Sequence, residues 1–159
     1  MTQTEEDVRW MQQALALARE ALEAGEIPVG AVLVQDGRIL GQGRNRRAQR
    51  KTPLAHAEIE ALEQAASRLG DWRFPGATLY VTLEPCPMCA GAILQARVDR
   101  VVFGADSPEQ GAAGTRLNLL DYPGLAWRAR ISPGLLADES AALLKLFFEG
   151  RRGEVAEPG

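Results

Sequence analysis

The chain's single histidine and its only two cysteines fall in two short blocks, His56-Ala57-Glu58 and Pro85-Cys86-Pro87-Met88-Cys89. Imidazole and thiolate are the side chains that hold zinc best near neutral pH. Any fold that joins the two blocks must bring segments about thirty residues apart to one place, and no other feature constrains the chain as strongly. Cys86 and Cys89 are three apart, so on a helix their sulfurs share a face and can reach one metal. With His56 they make three ligands, which leaves the fourth tetrahedral position to water, as in a catalytic zinc site. An Asp or Glu filling that position would instead close the site into a structural one.

At 159 residues the chain fits one domain, expected over residues 1–152, and residues 153–159 read as a disordered tail of Gly, Glu, Pro, Ala and Val. No apolar run approaches the roughly 20 residues that span a bilayer. The first residues are polar and acidic, unlike a secretory signal, so a cytoplasmic protein is expected. A disulfide between Cys86 and Cys89 would close a tiny loop and stabilise little, so a reduced pair is expected. The net charge of −3 excludes a globally basic nucleic-acid binder. A polynucleotide partner would have to meet a local patch.

Hydrophobic spacing at Val8, Met11, Leu15, Ala18 and Leu22 predicts a first helix. Thr4 and Asp7 are read as its capping pair and Gly25 as its stop. Residues 29–35 and 39–44 read as a hairpin about Asp36-Gly37. A loop to Pro53 leads into a helix over 55–69, a strand over 77–83, a short helix over 86–95 and a strand over 100–104. Pro85 is placed at the start of that short helix, where a missing N–H costs least. A Gly- and Ala-rich loop at 111–115 precedes a leucine-containing turn or helix at 116–121 and a fifth strand over 126–131. The last helix is expected over 137–149, with Leu143, Leu144, Phe147 and Phe148 on its buried side. This alternation predicts a three-layer α/β/α sandwich around a central mixed five-stranded sheet.

Glu58 separates a bound ion from a reaction. Zinc lowers the pKa of its water to about 7, and deamination also needs protons moved onto a ring nitrogen and the departing ammonia. Residues two apart do not share a helix face, so His56 can bind the metal while Glu58 faces a substrate. A C-x-x-C alone also suits a redox pair or half of a structural zinc site, and neither needs Glu58.

The joint pattern H-x-E…P-C-x-x-C is the signature of zinc-dependent nucleobase deaminases. The chain resembles the bacterial tRNA adenosine deaminases of the cytidine-deaminase-like superfamily, and the likeness runs from about Trp10 to Arg152. It is carried by Pro28-Val29-Gly30-Ala31-Val32, Gly43-Arg44-Asn45-Arg46, Ala55-His56-Ala57-Glu58, Thr82-Leu83-Glu84-Pro85-Cys86-Pro87-Met88-Cys89, Val101-Val102-Phe103-Gly104-Ala105 and Phe147-Phe148. The resemblance implies a homodimer with one zinc per subunit on His56, Cys86 and Cys89. It further implies conversion of the wobble adenosine of a tRNA anticodon to inosine by zinc-activated water, with Glu58 as proton shuttle. Asn45 matches a substrate hydrogen-bonding position, and Val29 and Leu83 match apolar walls of the base pocket.

Residues 44–51 carry five positive charges just before His56. Arg46, Arg47, Arg50 and Lys51, with Phe148, Arg151 and Arg152, are the candidate contacts to an anticodon stem-loop. Three positions depart from the family pattern: Ser107 where Asp is common, and Glu109 and Glu149 where basic residues are common. These changes bear on RNA affinity more than on the chemistry. The competing readings are a deaminase of free guanine, cytosine or nucleosides and a zinc-binding module without turnover.

Overall fold

The structure, a computed structural model, describes residues 1–150. Arg151, Arg152 and the expected tail lie outside the described residues. Helix α1 (Gln3–Glu23) is capped by Thr2, whose hydroxyl accepts the Glu5 N–H at 3.1 Å. The capping pair is therefore Thr2 and Glu5 rather than Thr4 and Asp7. Asp7 instead turns inward, because its carboxylate meets Arg100 at 2.8 Å and accepts the Tyr80 hydroxyl at 2.6 Å.

Strands β1 (Gly30–Gln35) and β2 (Arg38–Arg44) form the expected hairpin. Asp36 and Gly37 have φ of 51° and 73°, as a two-residue turn with both central residues left-handed requires. One short element, α2 (Arg47–Arg50), lies in what the sequence suggested was loop. It is followed by α3 (Ala57–Leu69), which Gly70 terminates at φ 64°. Strand β3 (Thr78–Leu83), helix α4 (Pro87–Gln95) and strand β4 (Arg100–Ala105) follow as anticipated. The proline at the first position of α4 is Pro87, not Pro85, because Cys86 is still extended and serves as the N-cap.

Residues 116–121 form turns, with a lone bridge between Ala113 and Asn118, and the only strand nearby is the three-residue β5 (Arg130–Ser132). Trp127, expected within that strand, packs against the core instead and donates its indole N–H to the Val98 carbonyl at 2.8 Å. The last helix, α5 (Ala137–Gly150), buries Ser140, Leu143 and Phe147. Phe148, expected to be buried, is 59% exposed and meets Phe147 edge to face at 5.2 Å.

The sheet runs β2-β1-β3-β4-β5. Strand β1 is antiparallel to both neighbours, and β3, β4 and β5 are parallel. Helix α1 packs on one face through Trp10, Met11, Ala14 and Leu15, with α5 contributing Leu143. Helices α3 and α4 cover the other through Ala57, Ala61, Ala65, Ala90 and Ile93. This is the mixed five-stranded three-layer sandwich that the alternation of elements predicted. No helix among the described residues is long and apolar enough to cross a membrane.

Because β3 and β4 are parallel, their C-terminal ends open on one sheet edge, and antiparallel β1 begins there and β2 ends there. That edge therefore collects Val29, Asn45, Leu83 and the segment leading to Cys86, at the end of a sheet where α/β folds place their sites.

Candidate metal and active site

Two helix starts meet at this edge. His56 caps α3 in an extended conformation (φ −83°, ψ 154°), and Cys86 caps α4 in another (φ −77°, ψ 172°). The His56 Nδ1 faces both sulfurs, 3.7 Å from Cys86 Sγ and 3.4 Å from Cys89 Sγ. A tetrahedral zinc with ordinary Zn–S and Zn–N bonds would hold nitrogen and sulfur about 3.6 Å apart. The three donors fit that ion. They lie within 4.8 Å of one another, and among the described residues no carboxylate oxygen completes the group as a fourth ligand. The donor set therefore has the open corner of a catalytic site.

Both cysteines are free thiols. The Cys89 thiol hydrogen-bonds to Cys86, and this, helped by the His56 ring and opposed by burial, pulls the Cys86 thiol down to about 4. The same hydrogen bond and burial push Cys89 well up. The Cys86 interaction raises the His56 pKa against the effect of burial. Protons are thus shared among the three donors, and a divalent cation would take their place.

Glu58 is 4% exposed, and burial raises its pKa above the ordinary carboxylate range. Its carboxylate hydrogen-bonds with the Cys89 thiol, so it borders the metal donors without joining them.

The substrate residues proposed from sequence sit around this cluster. The Asn45 N–H donates to the Val29 carbonyl at 3.1 Å, and the Arg46 N–H donates to the Ala55 carbonyl at 3.0 Å, beside His56. Asn45 is buried, and its Oδ1 accepts the Arg47 N–H at 3.0 Å. Val29 belongs to the core cluster and Leu83 packs against it.

The basic run is not a uniform patch. Arg46 pairs with Glu60 at 2.8 Å and is largely engaged there, Arg47 is half-buried, and Arg50 and Lys51 are exposed. Ser107 gives its N–H to Glu84, Glu109 is exposed, and Glu149 lies 3.9 Å from Lys145.

Two buried carboxylates that the sequence reading passed over hold the loops beside the metal donors. Glu26 accepts the Ala48 and Gln49 N–H groups at 2.9 and 2.8 Å and so caps α2. Glu84, 2% exposed, accepts the N–H groups of Ser107, Ala113 and Thr115 and the Thr115 hydroxyl. Burial alone would raise its pKa, but the Thr115 hydroxyl and the three amides outweigh it and hold the carboxyl low. The available signal was an acidic residue ending an apolar strand directly before Pro85-Cys86.

The family profile of MafB19-like deaminases matches residues 5–152. A tRNA-specific adenosine deaminase of Bacillus subtilis (strain 168) is 45% identical, over 92% of this chain and 91% of that protein. The corresponding Haemophilus influenzae protein is 47% identical over 95% and 88%. A structure solved in a study of A-to-I editing by tRNA:A34 deaminases at the wobble position superposes with a TM-score of 0.82. It is 43% identical and covers 86% of this chain and 99% of its own. A guanine deaminase from Nitrosomonas europaea is more distant, with a TM-score of 0.77 at 28% identity over 88% of this chain and 83% of its own. The chain is a MafB19-like deaminase and belongs to the family of tRNA-specific adenosine deaminases.

Proposed function

We propose that the protein hydrolyses the exocyclic amine of the wobble adenosine in a tRNA anticodon, giving inosine and ammonia. The observation that carries the reading is three metal donors with an open corner beside the buried Glu58. The close kinship to tRNA-specific rather than free-base deaminases supports the substrate. A zinc ion, one per subunit, would be held by His56, Cys86 and Cys89 and supply an acidified water at the reacting carbon.

Glu58 takes a proton from that water, passes it to the ring nitrogen next to the reacting carbon, and delivers a second to the departing ammonia. Burial that raises its pKa suits a group that must both accept and release a proton near neutrality. Asn45 spends its Oδ1 on Arg47 and so offers its amide N–H to the nucleoside. Val29 and Leu83 wall the base with apolar surface. Arg50 and Lys51 are exposed near the mouth of the site and neutralise backbone phosphates. Arg47, Phe148, Arg151 and Arg152 extend that contact.

An anticodon base is already unpaired, so presenting it costs little. The resemblance that suggests the tRNA substrate also supports a homodimer working in the cytoplasm.

Incubating the zinc-loaded protein with an anticodon stem-loop carrying wobble adenosine, and in parallel with guanine, cytosine and adenosine, tests the reading. Inosine in the stem-loop is the expected result. Turnover of the free bases alone would replace this function with the free-base alternative.

A further inference from the structure

The Glu84 carboxylate is surrounded by one loop. Its Oε1 accepts the Ser107 N–H at 3.1 Å and the Thr115 hydroxyl, and its Oε2 accepts the Ala113 and Thr115 N–H groups at 3.0 and 3.1 Å. A Cβ on Gly111 would come within 2.5 Å of this carboxylate, so the loop backbone lies directly against it. The main chain on either side repeats the connection. The Glu84 N–H donates to the Ala105 carbonyl at 2.9 Å, and the Ala112 N–H donates to the Pro85 carbonyl at 2.8 Å. Residues 107–115 are therefore fastened to the two residues that lead into the metal ligand Cys86. Glu84 does not point at the metal donors and is not among them.

We propose that Glu84 is a positioning residue for substrate. It holds the loop of residues 107–115 as a rigid rim of the cleft, where the nucleotides flanking the reacting adenosine must pass. A polynucleotide is longer than the base pocket, so its flanking backbone crosses the sheet edge on which this loop stands. The loop's outward residues Pro108, Glu109, Gln110 and Arg116 are exposed there, while Gly111, Ala112 and Ala113 are buried beneath them. A buried acceptor that takes four donors fixes the buried half and thereby the outline of the exposed half. The inference rests on the RNA-deaminase reading above.

The test is Glu84→Gln, which keeps the volume but leaves one carbonyl oxygen for two pairs of donors and sets an NH2 group against the other pair. The expected result is a roughly tenfold or greater rise in KM for the stem-loop, the size of losing one or two hydrogen bonds to a charged acceptor. Turnover at saturation should stay within about threefold, as uniform binding loss requires. Zinc content should remain that of the wild type. Hydrogen exchange at the Ala113 and Thr115 amides should speed up, and nowhere in β1 or α1.

Thr115→Val removes one of the four bonds without disturbing the strand end. It should move KM and exchange in the same direction by less, and it decides the matter if the Gln variant does not fold. Loss of zinc with KM unchanged, or a lower Tm with neither KM nor loop exchange altered, overturns the proposal. If the wild type makes no inosine, the functional reading fails by itself, and the exchange and zinc measurements still judge the clamp.

Discussion

Replacing Gly43 by alanine should displace the helix that carries His56. Strand β2 lies under α3 with no side chain between them at Gly41 and Gly43. A Cβ on Gly43 would meet Glu60 Cβ at 2.5 Å, the Ala57 carbonyl at 2.7 Å and the Ala61 N at 2.9 Å. Ordinary contact begins at 3.4 Å, so the start of α3 would have to retreat by about 0.9 Å. The obstacles are main-chain atoms and a Cβ, which cannot swing aside as a flexible side chain would.

Overpacking of this kind costs about 1–3 kcal/mol. Ala57 is the neighbour of His56, and metal ligands tolerate only about 0.2 Å of displacement. We expect Gly43→Ala to lose about 2 kcal/mol in urea denaturation and to weaken zinc at least tenfold in a competition titration, the size of a supporting-residue defect. Gly41→Ala meets Ala61 even more closely, but a turn farther from His56. It should therefore cost more stability and less zinc affinity. The same substitution at Gly91, mid-helix in α4 with nothing within 4 Å, should stabilise by roughly 0.5–1 kcal/mol. The reasoning fails if Gly43→Ala matches the wild type in both assays, or if Gly91→Ala is the more damaging change.

Three further outcomes follow from contacts described above. Hydrogen bonds from Arg100 and Tyr80 overcome the opposing effect of burial and hold Asp7 below its ordinary value. Its folded pKa lies under the unfolded one of about 3.9, so its stabilisation is complete above that pH and disappears as pH falls through the folded value. Asp7→Asn should cost on the order of 3 kcal/mol at neutral pH by leaving Arg100 unpaired in a confined site. It should also flatten the acid limb of stability against pH, and an unchanged limb would contradict the assignment. Replacing Arg50 and Lys51 by Gln should weaken stem-loop binding and reduce its salt slope by about 1. Arg46→Gln should mainly cost stability, because its partner is Glu60. Cys86→Ala should abolish both zinc binding and turnover, as shown by metal analysis and inosine yield.

The parts of this protein visible in its sequence are those set by local chemistry. Asp36-Gly37 announces a left-handed turn, and the spacing of Cys86 and Cys89 announces a shared ligand face. The periods of 3.6 and 2 place α1, α3, β3 and β4. What stayed hidden depends on partners far along the chain. Helix α2 is capped by Glu26, 22 residues before it. Asp7 leaves the first turn of α1 because Arg100 and Tyr80 wait 93 and 73 residues away. Trp127 is drawn out of a predicted strand by the Val98 carbonyl. The charge run at 44–51 looked uniform because sequence cannot show that Glu60 engages Arg46 while Arg50 and Lys51 remain exposed.

Removing one carboxylate while leaving every ligand in place separates holding the ion from using it. Zinc content and inosine yield should therefore be measured together on Glu58→Ala, in the same preparation as the wild type. The account predicts zinc retained at one per subunit and inosine abolished. Undiminished inosine from that variant, or zinc lost along with it, would contradict the role of Glu58 as the proton carrier.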